Sequence, residues 1–365
     1  MGNSDNLFME QKYSACIIGT GRIGFTLGFD KKREQPASHT MALLNNKRIR
    51  ITCGCDSNPD ALAQWKKFVD SRVSQFSFNR SDRVKTFSDR QLELMLDSCK
   101  PDIVVIAVNE DAHLETAVKV ISKKPRLVIL EKPVALNTTE GKKIVKAAQK
   151  NKVPVLVNHE RRFASDYAVA REYITKIGAV QKINASLFSG MRLYDPNAEK
   201  TGGYSLLHDG THLVDIVMYL LEALGDSKLA KPVITGLYKD AKEKKVVRGF
   251  TANYSTKQVS DISILMSGRS RYFGFEIDVI GTEGKICIGN GHADFFKRQE
   301  SKLYTGFYSL HEDLNVKVPK KTGYFANMIQ NGVDFLDGKA QLRSTLETGM
   351  CALKVLEEIK EKIRK

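Results

Sequence analysis

Two rhythms of apolar and polar residues run along the chain. In the first, short apolar runs at Tyr13–Ile18, Arg50–Cys55, Asp102–Val108, Leu127–Leu130 and Val153–Val157 alternate with helical segments, including one from Pro59 and one over Thr138–Lys150. Runs of that length, rich in branched side chains, fit strands buried on both faces, and their alternation with helices means βαβ units and a parallel sheet. After about Asn158 the rhythm changes. A helix over Ser165–Ile177, a strand over Val180–Phe188 and a long apolar helix over Leu206–Leu224 precede a succession of strands: Val233–Tyr238, Arg248–Ser255, Asp261–Ser267, Phe273–Ile280, Lys285–Ile288 and Ala293–Phe296. Gly268 and Gly281–Gly284 mark turns among them. Strands in succession make an antiparallel sheet, whose open face can cover a site or meet another subunit. Helices over Tyr324–Leu336 and Thr345–Ile363 end the chain. The expected fold class is α/β: an N-terminal domain over residues 1–158 built on a parallel sheet, and a C-terminal α+β domain over 159–365 with a large, mainly antiparallel open sheet.

Composition narrows the class of protein. At 365 residues the chain exceeds what one core usually fills, in keeping with two domains. No apolar run approaches the roughly 20 residues of a membrane helix, and Met1 to Lys12 lacks the apolar segment of a signal peptide. The 6 cysteines are scattered, with neither a C-x-x-C pair nor zinc spacing, and Cys16 and Cys53 fall within strands as small core residues. A cytoplasmic, reducing setting is expected. The formal charge of +15 raises nucleic acid as a partner, but Lys and Arg are spread over the length and no basic helix carries interleaved aromatics. Specific nucleic-acid binding is therefore not expected, and attraction of anionic small substrates is favoured.

The candidate chemistry concentrates where strands end. The Leu127–Leu130 run stops at Glu131-Lys132-Pro133, and Pro133 cannot donate to a strand ladder. Open α/β sheets bind ligands at the carboxyl ends of their strands, and a lysine flanked there by low-dielectric walls has a usable charge and proton. After the first strand, Gly19-Thr20-Gly21-Arg22-Ile23-Gly24 is G-x-G-x-x-G between a strand and a helical segment. The first glycine permits the tight turn, the second a close approach of pyrophosphate, and the third helix–strand packing, while amides such as those of Arg22 and Ile23 meet the phosphates. Asp56, ending the second strand, can accept ribose hydroxyls and repel a 2′-phosphate; this favours NAD, although Lys66, Lys67 and Arg72 leave NADP open. Gly24 and Asp56 stand further apart than the roughly 20 residues expected. The excess around Asp30 to His39, with Lys31, Lys32, Arg33 and Pro36, reads either as a solvated loop or as a cationic loop over the site.

His208 and His212 stand one helical turn apart on the expected Leu206–Leu224 helix and would share a face if it begins before Gly210. That spacing suits an acid/base pair or a satisfied structural histidine. It also suits the start of a metal site, but no third ligand is signalled and no metal is expected. Asp215, three residues on, could orient the His212 ring.

Taken together, Gly19-x-Gly21-x-x-Gly24, the Val105–His113 strand and turn, Glu131-Lys132-Pro133, and Gly202-Gly203 leading into His208-Asp209-Gly210-Thr211-His212 resemble the Gfo/Idh/MocA oxidoreductases over nearly the whole chain. Arg161-Arg162-Phe163 resembles the Asn-Arg-Phe type segment at the start of that family's second domain, with Glu160 where Asn is common. The resemblance implies an N-terminal Rossmann dinucleotide-binding domain followed by a substrate-binding and oligomerisation domain, with Lys132 between nicotinamide and substrate and His212 as the acid/base. It implies cofactor contacts from Gly19, Gly21, Arg22, Ile23, Gly24, Asp56, Asn109, His113, Glu131 and Lys132, and substrate contacts from Lys132, Arg162, His208, Asp209 and His212. Members often carry Asp four residues before the histidine; here His208 stands there beside Asp209, so either can hold a second substrate hydroxyl. The implied function is NAD-dependent hydride transfer between nicotinamide and a secondary alcohol or ketone of a sugar, cyclitol or sugar nucleotide, in a homodimer or homotetramer formed through the C-terminal sheet. An NAD-assisted glycosidase and a cofactor-binding regulator without turnover remain the alternatives.

Overall fold

The short apolar runs become a 6-stranded, wholly parallel sheet: β1 (Tyr13–Ile18), β2 (Ile49–Asp56), β3 (Lys85–Ser88), β4 (Ile103–Ile106), β5 (Leu127–Leu130) and β6 (Val155–Val157), in the order β3-β2-β1-β4-β5-β6. This computed structural model describes residues 13–73, 83–226 and 228–365; the polar stretch Met1 to Lys12 lies outside them. The strand order is that of a Rossmann sheet. Every residue of β4 and β5 is buried, as their unbroken apolar sequences require, and each such side chain contributes about 1.5–3 kcal/mol on burial. Helix α1 (His39–Asn45) is followed by α2 (Pro59–Val73), whose Trp65 is 0% exposed against Gly54 of β2; a Cβ at Gly54 would lie 2.4 Å from the indole. Strand β3 and helix α3 (Leu92–Cys99) were not foreseen from the sequence. The strand is short, without an apolar run, and the helix buries only Leu92, Met95 and Leu96.

By their contacts the described residues fall into two units. The first takes in those up to Glu131 with Lys142–Asn158 and Gly323–Leu346; the second takes in Lys132–Gly141, His159–Thr322 and Glu347–Lys365. The division therefore does not fall after Asn158 alone. Phe325 of the helix Tyr324–Leu336 packs edge-on against His39, and Asp337 just beyond it accepts from Tyr13 at 2.6 Å and from Arg48 at 3.0 Å, which ties this late helix to the first sheet.

The helix expected directly after the glycine turn is split. Residues 22–29 form irregular turns that end in a single 3-10 turn, Thr26–Phe29, and regular helix begins only at His39. Yet the His39 amide donates to the Ile23 carbonyl (3.1 Å) and Thr40 to that of Gly24 (2.9 Å). In an uninterrupted helix the partner of residue 23 is residue 27, so the ladder resumes with 12 residues looped out. Asp56 lies 32 residues after Gly24, and removing those 12 restores the expected spacing of roughly 20. Within the insertion Lys31, Lys32 and Arg33 are exposed, Arg33 pairs with Asp30 at 3.4 Å, and Glu34 accepts the Gly323 amide at 2.6 Å. His39 is no loop residue: it opens α1 and is 0% exposed.

In the second unit, β7 (Val180–Phe188) and the later strands β8 (Val233–Lys239), β9 (Val247–Tyr254), β10 (Asp261–Ser267), β11 (Gly274–Gly281), β12 (Gly284–Gly289), β13 (His292–Glu300) and β14 (Tyr308–Glu312) form an 8-stranded sheet in the order β14-β13-β12-β11-β7-β10-β9-β8. All pairings are antiparallel except β10 with β7, because β7 precedes the helical segment and is received into the middle of the sheet. Inward residues alternate along it: Ile183, Ala185 and Leu187 of β7 are at most 1% exposed, whereas Lys182 on the other face pairs with Asp261 at 2.8 Å. Strand β14, edge-placed and mostly exposed, had no apolar signal in the sequence.

Candidate active site

The first unit carries the dinucleotide half. Gly19 turns at φ +93°, where a Cβ would stand 2.4 Å from the Ala107 carbonyl oxygen; a Cβ at Gly24 would stand 2.0 Å from the Gly19 oxygen. Nothing lies within 4 Å of a Cβ at Gly21. Packing thus fixes the outer glycines and leaves the middle one open to close approach, which fits the pyrophosphate of a dinucleotide. Arg22 is exposed and Ile23 half-buried on the same turn. Asp56 Oδ2 accepts from the Thr20 amide (2.6 Å) and hydroxyl (2.9 Å), and Oδ1 from the Asn58 amide (2.8 Å). A carboxylate has about four acceptor positions, so one remains for a ribose hydroxyl.

Two cofactor contacts expected of the first unit need correction. His113 opens the helix His113–Ser122, is 0% exposed and lies with Nε2 3.2 Å from the Val108 carbonyl oxygen; it supports its own loop. Glu131 is 5% exposed, and its Oε1 accepts from Asn158 Nδ2 and meets His39 Nε2, both at 2.6 Å. Its carboxylate fixes the end of β5 from inside. Asn109 is exposed at the start of the turn before His113.

The second unit holds His208, Asp209 and His212. The expected helix Leu206–Leu224 is two helices, Ser205–His208 and Gly210–Glu222. At the break Asp209 Oδ2 accepts the Ser205 hydroxyl at 2.7 Å, and Gly210 packs so closely that a Cβ would lie 3.0 Å from the Met266 methyl. A local side-chain bond and a glycine both compete with helix at this point. His208 and His212 therefore do not share one continuous face. His208 is exposed, and its carbonyl oxygen accepts from Lys132 Nζ at 2.9 Å. Asp209 is half-buried, and its carbonyl receives the His212 amide at 3.0 Å.

Asp215 does not orient His212. Both its oxygens lie 2.9 Å from Arg162 Nε, and His159 Nδ1 is 3.5 Å away. Arg162 is 1% exposed, with its remaining donors on Glu222 at 3.1 and 3.0 Å, so it is not the substrate contact expected of it. Burial opposes its charge, but Asp215 and Glu222 outweigh burial and raise its pKa. Losing one partner of a buried pair of this kind costs about 3–5 kcal/mol. His159 Nε2 lies 3.1 Å from the hydroxyl of Thr211, the residue before His212. The neighbouring Arg161 is half-buried, its side chain 16% exposed, with its guanidinium 3.9 Å over the Phe275 ring and 3.3 Å from Glu160. His39, Asn158 and His159 were not assigned a role from the sequence; the last two stand just past β6, and that strand-end position was the signal available.

His212 is half-buried, and its Nδ1 is closed off from solvent with no hydrogen-bond partner among the described residues. Burial first, then the charges of Lys132 and Arg161 and the imidazoles of His159 and His208, hold its pKa well below the ordinary histidine value. At neutral pH it is an uncharged base beside an ammonium, able to take a proton while the ammonium stabilises an oxyanion. No group of three His, Cys, Asp or Glu among the described residues is arranged to hold a metal.

The chain is similar to several known proteins. Against the scyllo-inositol 2-dehydrogenase (NADP(+)) IolW of Bacillus subtilis, the chain is 27% identical over 161 residues, 41% of this chain and 44% of the relative, so it spans less than half that relative's length. Against the inositol 2-dehydrogenase of Rhizobium meliloti it is 23% identical over 350 residues, 92% of each. The WlbA dehydrogenase of Bordetella pertussis, solved in complex with NADH and UDP-GlcNAcA, shares the fold with a TM-score of 0.71 at 17% identity, over 97% of this chain and 96% of that one. Residues 14–159 match the oxidoreductase family's NAD-binding Rossmann fold and residues 171–365 its C-terminal alpha/beta domain: the chain belongs to the Gfo/Idh/MocA oxidoreductase family.

Proposed function

We propose that the protein is an NAD-dependent dehydrogenase or reductase acting on a secondary alcohol or ketone of a sugar, cyclitol or sugar nucleotide. The observation that carries this reading is His212, kept neutral by burial and by Lys132. His212 takes the hydroxyl proton, and Lys132 stabilises the oxygen that loses it. His208 and Asp209 are candidates for holding a second hydroxyl, and Arg161 takes the place first given to Arg162. Bound nicotinamide supplies the hydride acceptor. The glycine turn, Asn109 and the remaining acceptor of Asp56 would hold the dinucleotide. The inositol and UDP-GlcNAcA relatives support the substrate class, and the charge of +15 favours its anionic members. The reading includes a division of labour, with residues 1–158 binding dinucleotide and 159–365 binding substrate, and association of copies through the second sheet. The 6 free cysteines suit a reducing cytoplasmic setting; no helix of the described residues is long and apolar enough to cross a membrane.

Cofactor choice tests the first half of this reading. NAD should bind more tightly than NADP because the Asp56 charge opposes a 2′-phosphate, and Asp56→Ala should narrow the gap in a fluorescence titration of NADH and NADPH. A wild-type preference for NADPH would overturn the NAD assignment, which the NADP-dependent IolW makes a meaningful contest.

A further inference from the structure

The insertion that splits the first helix ends by delivering one side chain to the Glu-Lys-Pro turn. His39 is 0% exposed, its Nε2 lies 2.6 Å from Glu131 Oε1, and the Phe325 ring stands edge-on to it at 5.1 Å and 81°. Asn158 Nδ2 donates to the same oxygen at 2.6 Å. His39 Nδ1 is shut off from solvent without a hydrogen-bond partner among the described residues. With Glu131 ionised, the tautomer that fits carries its proton on Nε2 and donates it to the carboxylate. The backbone of the same residue holds the dinucleotide turn: the His39 amide donates to Ile23 O, and Thr40 caps Gly24 O through both its amide and its hydroxyl, the latter at 2.6 Å.

We infer that His39 is a positioning residue for the proposed hydride transfer: it clamps the Glu131 carboxylate, so fixing the backbone from which Lys132 extends, and joins that backbone to the cofactor-phosphate turn. Lys132 is the residue after Glu131; its side chain is half-buried and its Nζ donates to the His208 carbonyl oxygen at 2.9 Å. That bond holds the far end of the side chain and the strand end holds its root, and a buried carboxylate at the strand end is held in one place only while its donors are present. His39 touches neither reacting atoms nor cofactor in this role. It acts through Glu131.

The inference rests on the oxidoreductase reading, and the experiment separates the two. His39→Leu removes one of the carboxylate's donors and leaves that of Asn158, His39→Gln returns an amide nitrogen near the place of Nε2, and Glu131→Gln keeps the shape while removing the charge. Two quantities are measured on each folded variant: the acylation rate of the Lys132 amine, read by mass spectrometry against the exposed Lys124, and kcat and KM with NAD and the wild-type substrate. For His39→Leu the Lys132 rate should shift and kcat should fall roughly 10- to 100-fold, the effect of a misplacement of about 1 Å, with NADH affinity retained. His39→Gln should recover most of both, and Glu131→Gln should reproduce the Lys132 shift, which keeps the test decisive if His39→Leu does not fold. A merely structural histidine would lower the melting temperature in both His39 variants without moving Lys132 reactivity. Unchanged Lys132 reactivity in His39→Leu and Glu131→Gln, or a kcat in His39→Gln as low as in His39→Leu, overturns the inference. Should wild-type protein turn over no alcohol, the oxidoreductase reading fails, and the Lys132 rates still decide whether His39 sets that side chain.

Discussion

His212 and Arg162 were both candidate site residues in the sequence, and the structure sends them in opposite directions. The two arginines at 161 and 162 look alike in a string of letters, but the turn of 3-10 helix over Glu160–Phe163 points Arg162 into Asp215 and Glu222 and leaves Arg161 on Phe275. Which neighbour is buried depends on three-dimensional register, which no local pattern at this position declared. For His212 the residue type was legible and its protonation was not. Because burial and nearby cations depress its pKa, the folded state stays unprotonated where an unfolded histidine, with a value of about 6.5, takes up a proton. The resulting stability is present above about pH 6.5 and is lost as pH falls towards the depressed folded value. Denaturant unfolding of wild type and His212→Asn between about pH 5 and 7 should therefore show a steeper acid loss in wild type, and the acid limb of kcat/KM should lie below about pH 6.5. An acid limb centred above that value would place the essential base elsewhere, with His208 the next candidate.

Elements with a strong apolar period were readable almost to the residue: β1, β7, β10 and the helix Tyr324–Leu336 fall where the pattern puts them. Elements that rest on tertiary pairing were not. Edge strands β3 and β14 carry few buried side chains, and the break between His208 and Gly210 falls in a short polar stretch between two apolar segments that read together as one helix. The insertion is the most instructive case, since its presence was legible from the Gly24–Asp56 spacing but its place inside a helix was not. Deleting residues 27–38 joins Thr26 to His39 in helical register, with the Ile23 and Gly24 carbonyl bonds already formed. The shortened protein should fold with helix content preserved by circular dichroism and should still bind NADH. Loss of folding would show that the insertion, through Glu34 and Gly323, is needed for more than its returning end.

At the scale of the whole chain, the change of rhythm near Asn158 correctly foretold a parallel sheet followed by a mainly antiparallel one. It did not foretell that Lys132–Gly141 would group with the second unit and Gly323–Leu346 with the first. Such interleaving depends on contacts between segments distant in sequence, as when Asp337 binds Tyr13. Its consequence for function is that Glu131 and Lys132, consecutive in the chain, belong to different units. The central claim is that this arrangement oxidises an alcohol with His212 as base, and NADH formation measures it most directly. Wild type, His212→Ala and Lys132→Ala should be incubated with NAD and a panel of sugars, inositols, uronic acids and nucleotide sugars, with NADH followed by absorbance and NAD affinity measured separately. NADH should accumulate with at least one member of the panel, and His212→Ala should lower kcat roughly 10²- to 10⁴-fold with NAD affinity nearly intact. Glycoside cleavage without NADH release, cofactor binding without any turnover, or a His212→Ala variant with wild-type kcat would contradict the account.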